Sequence, residues 1–464
     1  MSVNNSNEVR LRFLGAAGTV TGSKHFLQTP EMNILVDCGL FQGIKPLRLM
    51  NWQALPVDIN EINIILITHA HLDHVGYLPV LVKSGYKGRI LMTAPTADLA
   101  EIILKDSAKL QEEDAERSNR EGYSKHKPAL PLYTTKDAEN TLKLIETHPA
   151  EEWVELSKSI KFRYRKNAHI LGAAFIEMDC FGKRIVFSGD IGKKESLTLP
   201  APEKPESADF LLIESTYGNR LHSTEDAGDE LSLIINDSIW KKGNLLIPSF
   251  AVGRAQEIMV LINRLKEKIQ IPNIPVYLDT PMGVSATNIY YKYMDWHKLT
   301  EKECEEIHAG VKFIKTIDES WEVINDRRPK IVIAASGMIT GGRVLNYLTH
   351  YLENKNNTIL LVGYQAEGTR GRALHEKAHE LKIYGKYYQV KAKSKEIEGL
   401  SAHADQAGLL DWVSEIKTKP RVFIVHGEPN ASDTLRVKFK DVLGWNAEIP
   451  QLNTEVTLFK TDAD

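Results

Sequence analysis

His69-Ala70-His71-Leu72-Asp73-His74 places four metal-grade side chains in six positions, between the apolar run Ile64-Ile65-Leu66-Ile67 and the helix-like stretch Val75-Gly76-Tyr77-Leu78-Pro79-Val80-Leu81. Imidazole nitrogen and carboxylate oxygen suit zinc. His69 and His71 project from one loop, while Asp73 and His74 turn towards a neighbouring ion, so the spacing points to two metals. It is not the helical HExxH of zinc proteases, because histidines at i and i+2 do not share a helix face.

Outward from this block, the first 200 residues alternate short β-branched runs with loops: Arg10 to Leu14, Asn33 to Val36, Arg89 to Met92, Ile160 to Tyr164 and Ile185 to Phe187. Helical patterns at Ala97 to Ser118 and Lys136 to Glu146 complete a mixed α/β sandwich with polar chemistry on its strand-end loops. Three more strand ends carry metal-capable groups: Asp37 after Ile34-Leu35-Val36, His169 in Asn167-Ala168-His169, and Asp190 in Phe187-Ser188-Gly189-Asp190. Taken singly, each is no more than a turn residue. After the proline-rich stretch Pro200 to Pro205 the texture becomes regular β then α, with strands at Phe210 to Ile213, Leu245 to Ile247, Val276 to Leu278, Lys330 to Ala334 and Thr358 to Val362. Helices at Leu231 to Lys241 and Arg254 to Lys268 make these parallel βαβ units. Arg421 to Val425 is a last buried-type strand, ending in His426.

Composition narrows the classes. With 464 residues, 42% of them hydrophobic, the chain holds two sizeable cores. No apolar run approaches the roughly 20 residues of a membrane span, and the start MSVNNSNEVR has no signal-peptide core, so a cytoplasmic protein with no membrane partner is expected. Cys38, Cys180 and Cys304 form neither a disulfide framework nor a zinc knuckle. A net charge of −3 gives no bulk attraction to polyanions, so nucleic-acid binding has to be local. Lys386, Lys391, Lys393 and Lys395 make one local basic cluster, or simply a solvated loop.

The order Asp37, the His69–His74 block, His169, Asp190 resembles the metallo-β-lactamase superfamily. Ile213-Glu214-Ser215-Thr216-Tyr217-Gly218, Gly399-Leu400-Ser401-Ala402-His403-Ala404-Asp405 and Val425-His426-Gly427-Glu428 are similar to the three signature motifs of the β-CASP nucleases. The match runs almost end to end. It is nearest to the branch holding the endonuclease subunit of the pre-mRNA cleavage and polyadenylation machinery and its short bacterial homologues. The resemblance implies an αββα sandwich, residues 1–205 and 396–464, with an inserted Rossmann-like parallel-sheet β-CASP domain at 206–395 forming a cleft over the metals.

Carried over residue by residue, the resemblance implies two zinc ions per chain, one held by His69, His71 and His169, the other by Asp73, His74 and His426, with Asp190 bridging them. Asp37 then orients a ligand from behind. A metal-bridging hydroxide attacks phosphorus, His403 protonates the leaving ribose oxygen, and Glu214 holds His403 in the donating tautomer. A buried core histidine is the competing reading of His403. Ser336-Gly337-Met338, between a strand and a helix, either faces an anion with its backbone N–H groups or is an ordinary glycine-rich turn. Arg254, Arg343, Arg370 and Arg372 are candidates for backbone-phosphate contacts, or equally surface ion-pair partners. The expected activity is zinc-dependent hydrolysis of single-stranded RNA, internally or from an end, by a chain that forms a homodimer as a family-level expectation. His426 at the third signature position favours RNA over DNA. The alternatives are a small-molecule hydrolase of thioesterase or lactamase type, which leaves Glu214 and His403 without a job, and an inactive RNA-binding scaffold, which does not need all seven ligands.

Overall fold

A strand that buries alternate residues needs one covered face, and a strand that is apolar throughout needs two. Both demands are met here, in two separate bodies. The computed structural model describes residues 7–122, 124–223 and 225–461; the polar start, residues 1–6, lies outside the described residues. One compact unit takes the chain up to Lys194, Ala201–Leu221 and the chain from His403 onward, and the other takes Glu195–Pro200 and His222–Ala402. Among the described residues no helix is long and apolar enough to cross a membrane.

The first unit is built on two seven-stranded sheets. One runs in the order Glu455–Lys460, Glu8–Phe13, His25–Gln28, Asn33–Val36, Ile64–Leu66, Arg89–Met92, Ile145–Thr147. The other runs Ala447–Glu448, Arg421–Val425, Phe210–Glu214, Lys183–Phe187, Ala174–Cys180, Ile160–Lys166, Val154–Glu155. Alternate residues of both, among them Leu11, Ile34, Leu66, Phe162, Ile176, Leu212 and Phe423, form one core. The other face of the second sheet, with Phe175, Val186, Ile213 and Ile424, packs against Leu409, Trp412, Leu435 and Phe439 from helices Gln406–Trp412 and Pro429–Leu443. On the first sheet the alternate residues Phe26, Leu35, Ile65 and Ile90 are also fully buried. Each such aliphatic or aromatic side chain contributes about 1.5–3 kcal/mol of transfer free energy.

The second unit has a six-stranded sheet, in the order Lys312–Phe313, Val276–Asp279, Ile331–Ala334, Leu245–Pro248, Thr358–Leu361, Lys393–Glu396, and every neighbouring pair is parallel. Leu245, Ile247, Ile331 and Ile333 bury one face with helices Ala227–Trp240 and Arg254–Glu267, while Leu246, Val332, Ala334 and Ile359 bury the other with helix Val344–Tyr351. Both faces are covered, so the strands read as unbroken apolar runs. Lys393 and Lys395 are exposed on the edge strand, where lysine discourages pairing with another chain.

Three boundaries differ from those read off the sequence. Phe210–Glu214 pairs in parallel with Lys183–Phe187 and with Arg421–Val425, so residues 206–221 belong to the sandwich and the insertion starts at His222 rather than at residue 206. The insertion also runs on to Ala402, past residue 395. The helix expected to reach Glu146 stops at Leu142, and Ile145–Thr147 forms an edge strand. In each case the local apolar pattern is the same for either assignment, and only a distant pairing partner decides it.

Candidate metal centre

Ile67, which follows strand Ile64–Leu66, leads into His69 and His71, and helix Leu72–Val75 starts directly after His71. The His71 carbonyl accepts the N–H groups of His74 and Val75, both at 2.9 Å, which fixes Asp73 and His74 on the first helical turn. The helix therefore begins three residues earlier than the apolar pattern of Val75–Leu81 indicates, and Gly76 and Tyr77 separate it from helix Leu78–Lys83. His169 and Asp190 come from loops that touch: the N–H of Gly192 donates to the Asn167 carbonyl at 2.8 Å, and a Cβ on Gly192 would sit 2.0 Å from the Ala168 carbonyl oxygen. Gly192 must be glycine for that approach.

Asp37, Ala168 and His426 all have left-handed backbone, with φ of 59°, 58° and 51°. Non-glycine residues rarely adopt it, at a cost of about 1–2 kcal/mol each. Here the strain lies where strands hand over to ligands, and ladder bonds hold it: the N–H of Asp37 donates to the Leu66 carbonyl at 2.9 Å and that of His426 to the Ala16 carbonyl at 2.7 Å.

The ligand atoms fall into two groups. His71 Nδ1 lies 3.1 Å from His69 Nε2 and 3.1 Å from His169 Nε2. His74 Nε2 lies 3.2 Å from His426 Nε2, which is 3.4 Å from Asp73 Oδ2. Asp190 divides between them. Its Oδ2 is 3.5 Å from both His69 Nε2 and His169 Nε2, and its Oδ1 is 3.3 Å from His74 Nε2. His69, His74, His169, Asp190 and His426 are all buried.

The donor set fits divalent ions. Nitrogens bound tetrahedrally at about 2.0–2.1 Å from zinc are about 3.3 Å apart, close to the spacings observed. Burial, with neighbouring imidazoles adding to it, pushes His69 and His169 well below the usual histidine range and His71 down to about 4, so their lone pairs are free to coordinate. Burial also opposes charge on His74 and His426, but Asp190 with Asp37 or Asp73 overrides it and raises both. The acids thus call for positive charge, which a dication supplies while displacing those protons. Asp190 Oδ1 is buried without a hydrogen-bond partner, the sign of a group awaiting something not bonded to it.

The second ring nitrogens are held by hydroxyls and one carboxylate. His74 Nδ1 donates to Asp37 Oδ2 at 2.7 Å, and Asp37 also accepts the N–H and the hydroxyl of Thr68, at 2.9 and 3.0 Å. Thr68 Oγ1 is 3.1 Å from His69 Nδ1, and Thr216 Oγ1 is 3.2 Å from His426 Nδ1. These contacts fix which nitrogen faces the ligand cluster. Asp37→Asn should weaken zinc affinity about 10–100-fold, read by competition with a chromophoric chelator; wild-type affinity would remove Asp37 from the centre.

His403 closes the site. Its Nδ1 is 3.0 and 3.1 Å from the two oxygens of the fully buried Glu214, and its Nε2 is 4.0 Å from Asp190 Oδ2. Glu214 also accepts the N–H of Ile191 at 2.6 Å, and His403 itself forms a bridge with Gly192. The side chain keeps 15% exposure and lies beside His169, tilted against it at 4.5 Å between ring centres, so it is no apolar core residue. Burial lowers its pKa, Glu214 outweighs that, and the result is a rise to about 9.

Sequence profiles of three families tile the chain: the metallo-beta-lactamase superfamily at residues 21–214, the Beta-Casp domain at 255–374 and the Zn-dependent metallo-hydrolase RNA specificity domain at 387–450. The protein named ribonuclease TTHA0252 from Thermus thermophilus is 34% identical over 428 residues, covering 90% of this chain and 93% of that one. The chain belongs to the β-CASP ribonuclease family. Other relatives are the RNase J-like protein of Methanocaldococcus jannaschii, 32% identical over 90% of this chain and 93% of its own, and the transcription termination factor FttA of the same organism, 33% identical over 93% of this chain and 69% of its own. A crystal structure of a protein of unknown function from Enterococcus faecalis V583 has the same fold, with a TM-score of 0.52 at 11% identity over 97% of this chain and all of that one.

The arginines of this β-CASP chain are occupied otherwise than phosphate contact expects. Arg254 is buried and paired with Glu257. Arg343 donates to Asp279 at 2.6 Å and to the Lys315 carbonyl at 2.7 Å. Arg370 donates to the carbonyls of Lys382 and Ile339, at 2.7 and 3.2 Å, and Arg372 to Glu376 at 2.6 Å. All four knit the insertion together. Ser336, Gly337 and Met338 sit in a turn whose N–H groups at Thr340 and Gly341 donate to Ser336 Oγ, at 3.0 and 3.3 Å, and the helix starts only at Val344, too far on for its dipole to act at Gly337. Thr68 and Thr216 are the residues that sequence reasoning missed. The available signal was a hydroxyl placed directly beside a ligand or a signature carboxylate at a strand end.

Proposed function

We propose that this β-CASP protein is a two-zinc ribonuclease that hydrolyses single-stranded RNA to products with a 5′-phosphate and a 3′-hydroxyl. The observation that carries the reading is the division of Asp190, one oxygen to each of two imidazole clusters, with the His403–Glu214 pair beside it. His69, His71 and His169 would hold one ion and Asp73, His74 and His426 the other, with Asp190 reaching both. Bound ions would supply Lewis acidity, bringing water towards a pKa of about 7 and offsetting phosphoryl charge.

The remaining chemistry is the chain's own. Glu214 accepts the Nδ1 proton of His403 and keeps it charged, leaving the Nε2 proton directed away from Glu214 for transfer. As the O3′–phosphorus bond breaks, that proton passes to O3′, so ribose leaves as a neutral hydroxyl rather than an alkoxide. Asp37, Thr68 and Thr216 hold three of the imidazoles by their far nitrogens, so the cage need not reorganise during a turnover. Cys38, Cys180 and Cys304, all unpaired and buried, suit a reducing compartment such as the cytoplasm.

End-labelled RNA and DNA, incubated with and without chelator alongside elemental analysis, test this. The expected outcome is cleavage of RNA that stops on chelation and returns with zinc, at about two equivalents per chain. Thioester turnover with intact RNA in the same tube would overturn it in favour of a small-molecule hydrolase.

A further inference from the structure

The hairpin Glu380–Ile383 with Lys386–Gln389, in the inserted unit, has two unlike faces. Leu381 and Ile383 turn inward, buried with Leu374 and Ile359, and the half-buried Tyr388 packs against the same cluster. Outward stands the cross-strand pair Lys382 and Tyr387. Tyr387 is 62% exposed and Tyr384 50% exposed, and Lys382 Nζ lies 5.4 Å from the centre of the Tyr387 ring. The connection Tyr384-Gly385, with φ of 49° and 80°, has the left-handed pair of a tight type I′ turn, so Tyr384 stands at the tip. Its hydroxyl donates to Asn346 at 2.9 Å and anchors that tip. Acidic groups gather at the opposite end, where Gln389 bonds Glu380 and Glu353. Among the described residues no ion pair engages Lys382, Lys386 or Lys391.

A tyrosine exposed across from a lysine stabilises a hairpin by a few tenths of a kcal/mol, which explains one such residue. It does not explain a second exposed ring at the turn, on the same ribbon as an unpaired lysine, in a chain whose net charge is −3. Exposed aromatic faces flanked by unpaired ammonium groups are what an unpaired polynucleotide needs: bases stack on the rings whatever their sequence, and cations take the phosphates.

We propose that this ribbon is an RNA-docking element outside the metal-bearing unit, with substrate bases stacking on Tyr384 and Tyr387 and a flanking phosphate held by Lys382. The proposal rests on RNA being the substrate. Of the basic cluster singled out in the sequence, Lys386 lies across from the inward-turned Ile383 and Lys391 follows the ribbon, while Lys393 and Lys395 protect the sheet edge.

The test is fluorescence anisotropy of a labelled oligouridine of roughly twenty nucleotides, measured on the full chain loaded with zinc and carrying His403→Ala to slow turnover. Tyr384→Ala with Tyr387→Ala should weaken binding about ten-fold or more, with melting temperature and zinc content as in the parent. Tyr384→Phe with Tyr387→Phe should bind as the parent does, because stacking needs the ring and not the hydroxyl. Lys382→Gln should flatten the slope of log Kd against log salt by about 0.7. Alanine variants that bind as tightly as the parent overturn the proposal, as does a change in sedimentation with RNA affinity intact, which would make the ribbon a subunit interface. A parent protein that neither binds nor cuts RNA fails at the earlier step, and the substrate reading falls with it.

Discussion

His403→Ala should lower kcat on RNA about 10²–10⁴-fold, the usual worth of a positioned proton donor, while KM and zinc content stay near wild type. Alanine removes the partner of Glu214 but no group of the two ligand clusters, since His403 meets Glu214 through Nδ1 and lies 4.0 Å from Asp190 through Nε2. The test that separates acid catalysis from mere structure is the leaving group. A p-nitrophenyl phosphodiester departs as a stable anion and needs no proton, so the variant should keep most of its turnover on that substrate. Equal losses on both substrates would make His403 a structural residue.

Asp190→Asn should be at least as damaging, by about 10²–10³-fold or more, and through a different cause. The amide keeps the shape of the side chain but removes the anion that faces both imidazole groups: Oδ2 facing His69 and His169, Oδ1 facing His74. Two dications repel each other strongly unless a shared anion lies between them, so zinc content should fall below the parent value and no substrate, activated or not, should be spared. Full zinc occupancy with activity intact would refute the bridging role. Comparing the two variants on RNA and on the activated diester tells metal loss from proton-donor loss.

The ligand block at His69–His74 was legible because its donors are neighbours in the chain, and local spacing is what a sequence displays. Asp37, His169, Asp190, Glu214, His403 and His426 are each unremarkable alone; their order along the chain made them readable, and the structure brings all of them to one site in one unit. Thr68 and Thr216 were missed, since a hydroxyl at a strand end looks the same whether it supports an imidazole or a turn. The start of the insertion was misplaced for a similar reason: Phe210–Glu214 has the apolar run of a buried parallel strand, and whether it sits in the sandwich or in the inserted sheet depends on its pairing with Arg421–Val425. The four arginines show the limit most clearly. Nothing near Arg343 in sequence announces Asp279, the partner that claims it.

That pairing of Glu214 with Val425 has a consequence for how the protein is made. The strand ending at Glu214 leaves the ribosome with one long edge bare, and its partner is some two hundred residues behind it. At roughly 5–20 residues per second, the nascent chain waits on the order of ten seconds or more before His403 and then His426 emerge to join the residues already made. On the roles proposed for those two histidines, a half-translated chain is inert, emerging beside its own messenger before it has the means to cut it.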